Sequence, residues 1–183
     1  MNKIIAIVGM CGSGKSIASN YYESIGFKKV YFGGVTIDKL KENGLEINEK
    51  NEKYMREKLR KEYGMGAFAT LLLSKIEDSV KEGNVILDGL YSWEELVILK
   101  DEFKDNLVVL AIIVDKDIRY KRLLNRDVRP LSNDEALSRD ISEIENLSKG
   151  GPIVYADYYL FNNDSLECFY KNIEEVTKKI LNK

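Results

Sequence analysis

The 183-residue sequence contains no histidine. Its absence removes Ser-His-Asp and Cys-His nucleophilic chemistry, and any histidine-ligated metal. The two cysteines, Cys11 and Cys168, are too few for a disulfide framework. No apolar run approaches the ~20 residues of a membrane span. The chain enters an apolar run at residue 3, which leaves no room for a signal peptide. Basic excess is missing too: 28 Lys and Arg stand against 30 Asp and Glu, net −2, so no electrostatic footprint announces nucleic acid. These absences point to a cytoplasmic protein with no membrane and no nucleic-acid partner. Any metal should be a hard, oxygen-ligated ion such as Mg2+. The length fits one domain, or one core with a small subdomain.

What is present is concentrated in one run, Gly9-Met10-Cys11-Gly12-Ser13-Gly14-Lys15-Ser16. It fits the phosphate-cradling pattern of two glycines with four residues between them, followed by Lys and Ser. Glycines let successive N–H groups curl around an anion, and the helix that follows aims its positive end at the same phosphates. Lys15 would reach the β- and γ-phosphates, and Ser16 would offer its hydroxyl to Mg2+. Ile17, in the first turn of that helix, belongs to the same candidate nucleotide site. Context supports the motif: residues 3–8 are a β-branched strand-like run, and residues 16–24 read as a helix ended by Gly26. Cys11 is either a thiol activated by the helix terminus or a tolerated loop position.

Further along, strands and helices alternate. Strands are expected at 28–32, 85–88, 107–114 and 158–161, and helices at 36–42, 49–63, 67–82, 93–103, 117–125 and 165–181. Ser132 and Glu135 form a capping box that opens a helix to about residue 147. Gly150-Gly151-Pro152 should break the chain. The 11 tyrosines and Trp93 either line an adenine site or pack the core, and the core is the main expectation. Alternation of this kind predicts an α/β fold, a parallel sheet with helices on both faces. Ligands in such sheets sit outside the carboxyl ends of the strands. That rule gathers residues 9–16, Asp88 and the residues past Phe32 around one crevice. Asp88 ends an apolar strand, the place for an acid that helps hold Mg2+, or else it caps an Asp-Gly turn.

Arg119, Arg122, Arg126, Arg129 and Arg139 fall close together after the longest apolar run. Spacings of three and four put Arg119, Arg122 and Arg126 on one helix face. Guanidinium forks suit phosphate oxygens and can stabilise a phosphoryl group in transfer. The plain alternative is a solvated face paired with Asp117 and Asp127.

With these residues in view, the chain resembles the P-loop small-molecule kinases, the clan of adenylate kinase and dephospho-CoA kinase. Arg122-Leu123, Arg126-Asp127, Leu131-Ser132 to Ala136, Arg139, Ala156-Asp157 and the stretch from Asn162 resemble dephospho-CoA kinase. Residues 59–65, Asp88-Gly89-Leu90 and Glu94-Glu95 carry a likeness to archaeal relatives of that kinase. The resemblance implies a P-loop three-layer sandwich with a five-stranded parallel sheet. It also implies an acceptor-binding helical segment at about 34–83 and a lid at about 122–139. Asn162 and Ser165 would lie by the adenine, Arg122 by the phosphates, and ATP and Mg2+ would be the cofactors. Two family features are missing. Dephospho-CoA kinase has an acid just after its second strand, where this chain reads Phe32-Gly33-Gly34-Val35, with Asp38 the nearest carboxylate. The archaeal relatives have an acid at Gly34 and an arginine near Thr70.

These residues predict an ATP-dependent phosphotransferase acting on a small nucleotide-like phosphate acceptor. Lys15, Asp88, Arg126 and Arg129 carry the chemistry, and Ser16 and Asp88 carry the metal. An acceptor that is itself a phosphate needs cations and no general base; Arg56 and Arg60, four apart, could clamp one, or could pair with Glu52, Glu57 or Glu62. The competing class is a non-catalytic ATP-binding sensor, or a P-loop NTPase that has lost its acceptor site. A GTPase is disfavoured because Val114-Asp115-Lys116-Asp117 lacks the asparagine of a guanine-reading motif.

Overall fold

A computed structural model describes residues 2–182. Five strands, β1 (Ile4–Val8), β2 (Lys28–Tyr31), β3 (Val85–Asp88), β4 (Leu107–Ile113) and β5 (Tyr158–Phe161), form one sheet in the order β2-β3-β1-β4-β5. Every pairing is parallel. The centre is β1, whose five residues are all buried. That fits a strand covered on both faces, which reads as continuous apolar sequence instead of alternating.

Alternate residues of β1 face two cores. Ile4, Ala6 and Val8 pack with α2 (Gly33–Glu42), α3 (Glu49–Tyr63), α4 (Ala67–Glu82) and α5 (Trp93–Phe103) through Leu40, Met55, Leu59, Phe68, Ile76 and Leu99. Ile5 and Ile7 pack with α1 (Lys15–Ser24) and α9 (Leu166–Leu181) through Ala18, Tyr22, Phe169 and Ile173. Removing any of these large apolar groups should cost about 2–5 kcal/mol. Between β4 and β5 lie α6 (Lys116–Leu124), α7 (Asn133–Glu145) and the short α8 (Gly150–Val154). The expected capping box opens α7: Ser132 Oγ accepts from Glu135 N and the Glu135 carboxylate accepts from Ser132 N.

Three expectations are corrected. Gly33 and Gly34 are helical, so α2 starts three residues before the expected residue 36. Gly150-Gly151-Pro152 opens α8 instead of breaking the chain. A Cβ at Gly151 would sit 2.9 Å from Trp93 Cε3, so this glycine permits close approach of α8 to α5. The aromatic residues are less central than expected: Tyr22 is in the core, but Tyr31, Tyr54, Tyr63, Tyr155, Tyr159, Tyr170 and Trp93 are exposed.

The parallel register sets the site. Asp88 pairs with Ile7 on one side and Tyr31 on the other. Residues 9–14, the turn after Asp88 and Asn162 therefore leave the sheet at the same edge, the carboxyl ends of β1, β3 and β5.

Candidate active site

Residues 9–14 turn from β1 into α1 on left-handed glycines. Gly9 has φ 146° and Gly14, the N-cap of α1, has φ 99°. A Cβ at Gly9 would stand 2.6 Å from the Ile112 carbonyl oxygen, and one at Gly14 would stand 2.6 Å from Asn162 Nδ2. Neither position tolerates a side chain. No side chain caps α1, so its first N–H groups remain available to an anion. Asn162 Nδ2 donates to the Ser13 carbonyl at 2.9 Å. Lys15 folds back over the loop, with Nζ donating to the carbonyls of Gly9 (2.9 Å) and Met10 (3.0 Å). Withdrawal of its ammonium from water, reinforced by Lys149, pulls the Lys15 pKa down to about 7.

Above the loop lies a cavity of about 610 Å³. Cys11, Gly12, Gly14, Lys15, Ser16 and Ile17 line it, whereas Gly9, Met10 and Ser13 do not. Asp88 lines it as well, with Oδ2 3.7 Å from Lys29 Nζ. The hydroxyl of Ser16 and the carboxylate of Asp88 are hard oxygen donors, and together with phosphate oxygens they fit Mg2+. One buried donor of a cavity-lining side chain, Arg122 Nη1, has no hydrogen-bond partner; an unpartnered buried donor suits a polyanionic ligand. The described residues hold no cluster of three or more Cys, Asp and Glu side chains able to bind a metal by themselves.

The arginines separate. Arg119 is buried and forms a two-pronged pair with Asp140 of α7 (2.9 and 2.6 Å), while Nη1 also donates to the Cys11 carbonyl at 2.9 Å. Burial by itself would lower the Arg119 pKa, but the bond and charge of Asp140 raise it. Arg119 is thus a brace between the loop and α7. The expected common helix face fails because α6 ends at Leu124, leaving Arg126 in the following segment. Arg122 and Arg126 line the loop cavity. Arg122 Nη2 lies 3.5 Å from Asn162 Oδ1, and Arg126 Nε donates to the Arg129 carbonyl. Arg129 points the other way, pairing with Glu49 of α3 at 2.9 Å. Ser165 caps α9 by accepting from Cys168 N, and its neighbour Leu166 lines the cavity in its stead.

A second cavity of about 750 Å³ adjoins the first. Tyr31, Tyr91, Arg139 and Glu143 line both, forming the wall between them. Arg56, Arg60 and Arg129 line the second. Arg56 pairs with Glu49 and Glu52 at 3.2 and 3.4 Å. Arg60 differs: its Nε is buried without a partner, its guanidinium lies 5.1 Å from the Phe68 ring centroid, and burial lowers its pKa. Asp38, the acid nearest the missing family carboxylate, lines neither cavity.

Sequence reasoning missed Tyr31, Tyr91, Glu143 and Lys149, and gave Arg139 no task. Arg139 and Glu143 are four apart on α7, a visible helical pairing. No local signal marks Lys149, because lysine is seldom buried.

A family described as an AAA domain matches residues 5–144. The UPF0200 protein of Sulfurisphaera tokodaii is 35% identical over 185 residues, covering 98% of each chain. That of Pyrococcus abyssi is 32% identical over 182 residues, covering 97% of each. Among solved structures, dephospho-CoA kinase from Campylobacter jejuni superposes with TM-score 0.60 at 20% identity, covering 98% of this chain and 97% of that one. Shikimate kinase from Acinetobacter baumannii, solved in complex with shikimate, gives 0.64 at 16% identity, covering 100% and 94%. The fold is that of the P-loop kinases, a nucleotide-binding architecture. The chain belongs to the UPF0200 family.

Proposed function

We propose that this UPF0200 member is a phosphotransferase that moves the γ-phosphate of ATP to a small, anionic, nucleotide-like acceptor. The observation that carries this reading is the pair of adjoining cavities with a common wall, one over the phosphate loop and one whose lining sets Arg56, Arg60, Arg129 and Arg139 among the carboxylates of Glu49, Glu52, Asp134, Glu135 and Glu143. Within it, the loop N–H groups and Lys15 bind the phosphates, and Ser16 with Asp88 holds Mg2+. When bound, that ion neutralises charge on the phosphate oxygens. Arg122 and Arg126 approach the same phosphates from the 122–139 lid segment, and Asn162 supports the loop from the base side. Segment 34–83 forms the acceptor side. There Arg60 has a buried donor to give, and Arg129 can exchange Glu49 for a phosphate. An acceptor phosphate is already anionic, which accords with the missing acid at Gly33-Gly34. Phosphoryl transfer then needs positioning and charge stabilisation more than a base.

The test is ADP release from Mg-ATP in the presence of dephospho-CoA, ribo- and deoxynucleoside monophosphates, and nucleosides, with Lys15→Ala as control. One acceptor should raise turnover far above background, and only with Lys15 present. ATP binding without stimulation by any acceptor would replace this reading with a non-catalytic ATP sensor.

A further inference from the structure

The phosphate loop carries a carboxylate from α7. Glu143 is buried, and its Oε2 accepts from Cys11 N at 3.3 Å and from Lys149 Nζ at 2.7 Å. Arg139 Nε donates to Oε1 at 3.3 Å. The Lys149 side chain is 1% exposed, lies 4.4 Å from the Tyr91 ring centroid, and lines the loop cavity together with Glu143 and Arg139. The placement of α7 is fixed three residues earlier, by Asp140 in its pair with Arg119.

Three features make this more than a structural ion pair. First, the acceptor atom on Glu143 takes an N–H from the loop that cradles phosphate. Lys15 Nζ rests on the Gly9 and Met10 carbonyls. A P-loop lysine serves the β- and γ-phosphates, so this end of the loop is the terminal-phosphate end, and Cys11 N is beside it. Second, Lys15, Lys149 and Arg139 crowd a single carboxylate. Burial lowers the pKa of Lys149 despite Glu143, and Lys149 in turn depresses Lys15. A doubly charged phosphoryl group suits such a set better than one carboxylate does. Third, Glu143 lines the second cavity as well, so rotation of its side chain can carry the carboxylate across the wall while α7 stays fixed.

We propose that Glu143 is a place-holder for the terminal phosphate of the nucleotide, and that this phosphate, on binding, displaces the carboxylate from Cys11 N–H and takes Lys149 and Arg139 as its own ligands. Lys149 is then a second phosphate-binding lysine, held in place before the nucleotide arrives. ADP does not reach this position and leaves Glu143 where it is. The inference rests on the nucleotide-binding reading above.

Calorimetric titration of the full chain with Mg2+ and a non-hydrolysable ATP analogue, and separately with ADP, tests it. Glu143→Gln should tighten the ATP analogue about tenfold and change ADP less than about twofold. Lys149→Met should weaken the ATP analogue about tenfold and again spare ADP. Glu143→Asp keeps a charge beside Lys149 but falls a methylene short of Cys11, so it protects the fold; it should also favour the ATP analogue over ADP. An unchanged ratio of ATP-analogue to ADP affinity in the folded variants, with wild-type protein binding both, would overturn the place-holder alone. If wild-type protein bound neither nucleotide, the nucleotide-binding reading would fall, and this inference with it.

Discussion

The two sides of the crevice hold similar charges in different ways. On the loop side, Arg119–Asp140 and Lys149–Glu143 are ion pairs whose side chains are less than 10% exposed. On the α3 side, Arg129–Glu49 has both side chains 64% exposed, and Arg56 shares Glu49 and Glu52 among partially wet groups. Buried pairs are costly to break and fix geometry, whereas exposed ones add little stability and exchange partners readily. Arg119–Asp140 therefore holds the loop side in one shape, and Lys149–Glu143 gives way only where a phosphate can replace the carboxylate. The α3 side can rearrange around what it receives, as the less specified of two substrates would require.

Substitutions can break this contrast. The largest effect should come from Lys15→Met, which removes the cation that the proposed transfer sets against the moving phosphate; acceptor-dependent ADP release should fall about 10³-fold. Next, Arg119→Ala strands Asp140 in the interior and should cost about 3–5 kcal/mol in urea unfolding. It should also weaken nucleotide binding, because Arg119 holds the Cys11 carbonyl. A mere surface pair at Arg119 would show neither loss.

Lys15→Met should have a smaller, opposite effect on stability. The Lys15 pKa is about 7 in the fold against an ordinary 10.5. Between those values the unfolded chain binds the extra proton, so stability of the nucleotide-free protein rises with pH across that window. Replacing the lysine should stabilise the chain by roughly 2–4 kcal/mol at and below pH 7, with the gain vanishing near pH 10.5. Thermal melts of both proteins from pH 6 to 10 would reveal a closing gap; a constant gap would remove the burial cost assigned to Lys15. The smallest effect belongs to Arg129→Ala, which should move stability by no more than about 0.5 kcal/mol while lowering kcat/KM for the acceptor. A stability loss like that of Arg119→Ala would erase the distinction between the two sides.

Much of the fold was legible because its signals are local. The spans 49–63, 67–82, 85–88, 93–103 and 158–161 match α3, α4, β3, α5 and β5 residue for residue, since apolar period and capping side chains lie within each segment. Paired glycines misled. The expected helix at 36–42 leaves out Gly33-Gly34 and Gly150-Gly151 reads as a break, yet both pairs are helical, and at Gly151 the reason is Trp93, more than fifty residues away. The phosphate loop was recognisable because its chemistry is contained in eight consecutive residues. Glu143 was not, because its meaning depends on Cys11, 132 positions earlier. The separation of Arg119 from Arg122 and Arg126 was hidden similarly: spacing put them on one face, but α6 ends before Arg126 and Asp140 draws Arg119 inward.

The braces on the loop also bear on biosynthesis. Arg119 reaches the Cys11 carbonyl from 108 residues downstream, and Asn162 reaches the Ser13 carbonyl from 149 residues downstream. As the ribosome works, the glycine run is exposed early and its braces arrive late, so these contacts are among the slow, long-range ones. A nascent or truncated chain ending before Asn162 would carry the whole phosphate-binding sequence without its finished shape. The shape of the phosphate loop is in this sense a product of residues far down the chain, set only once they have been made and packed.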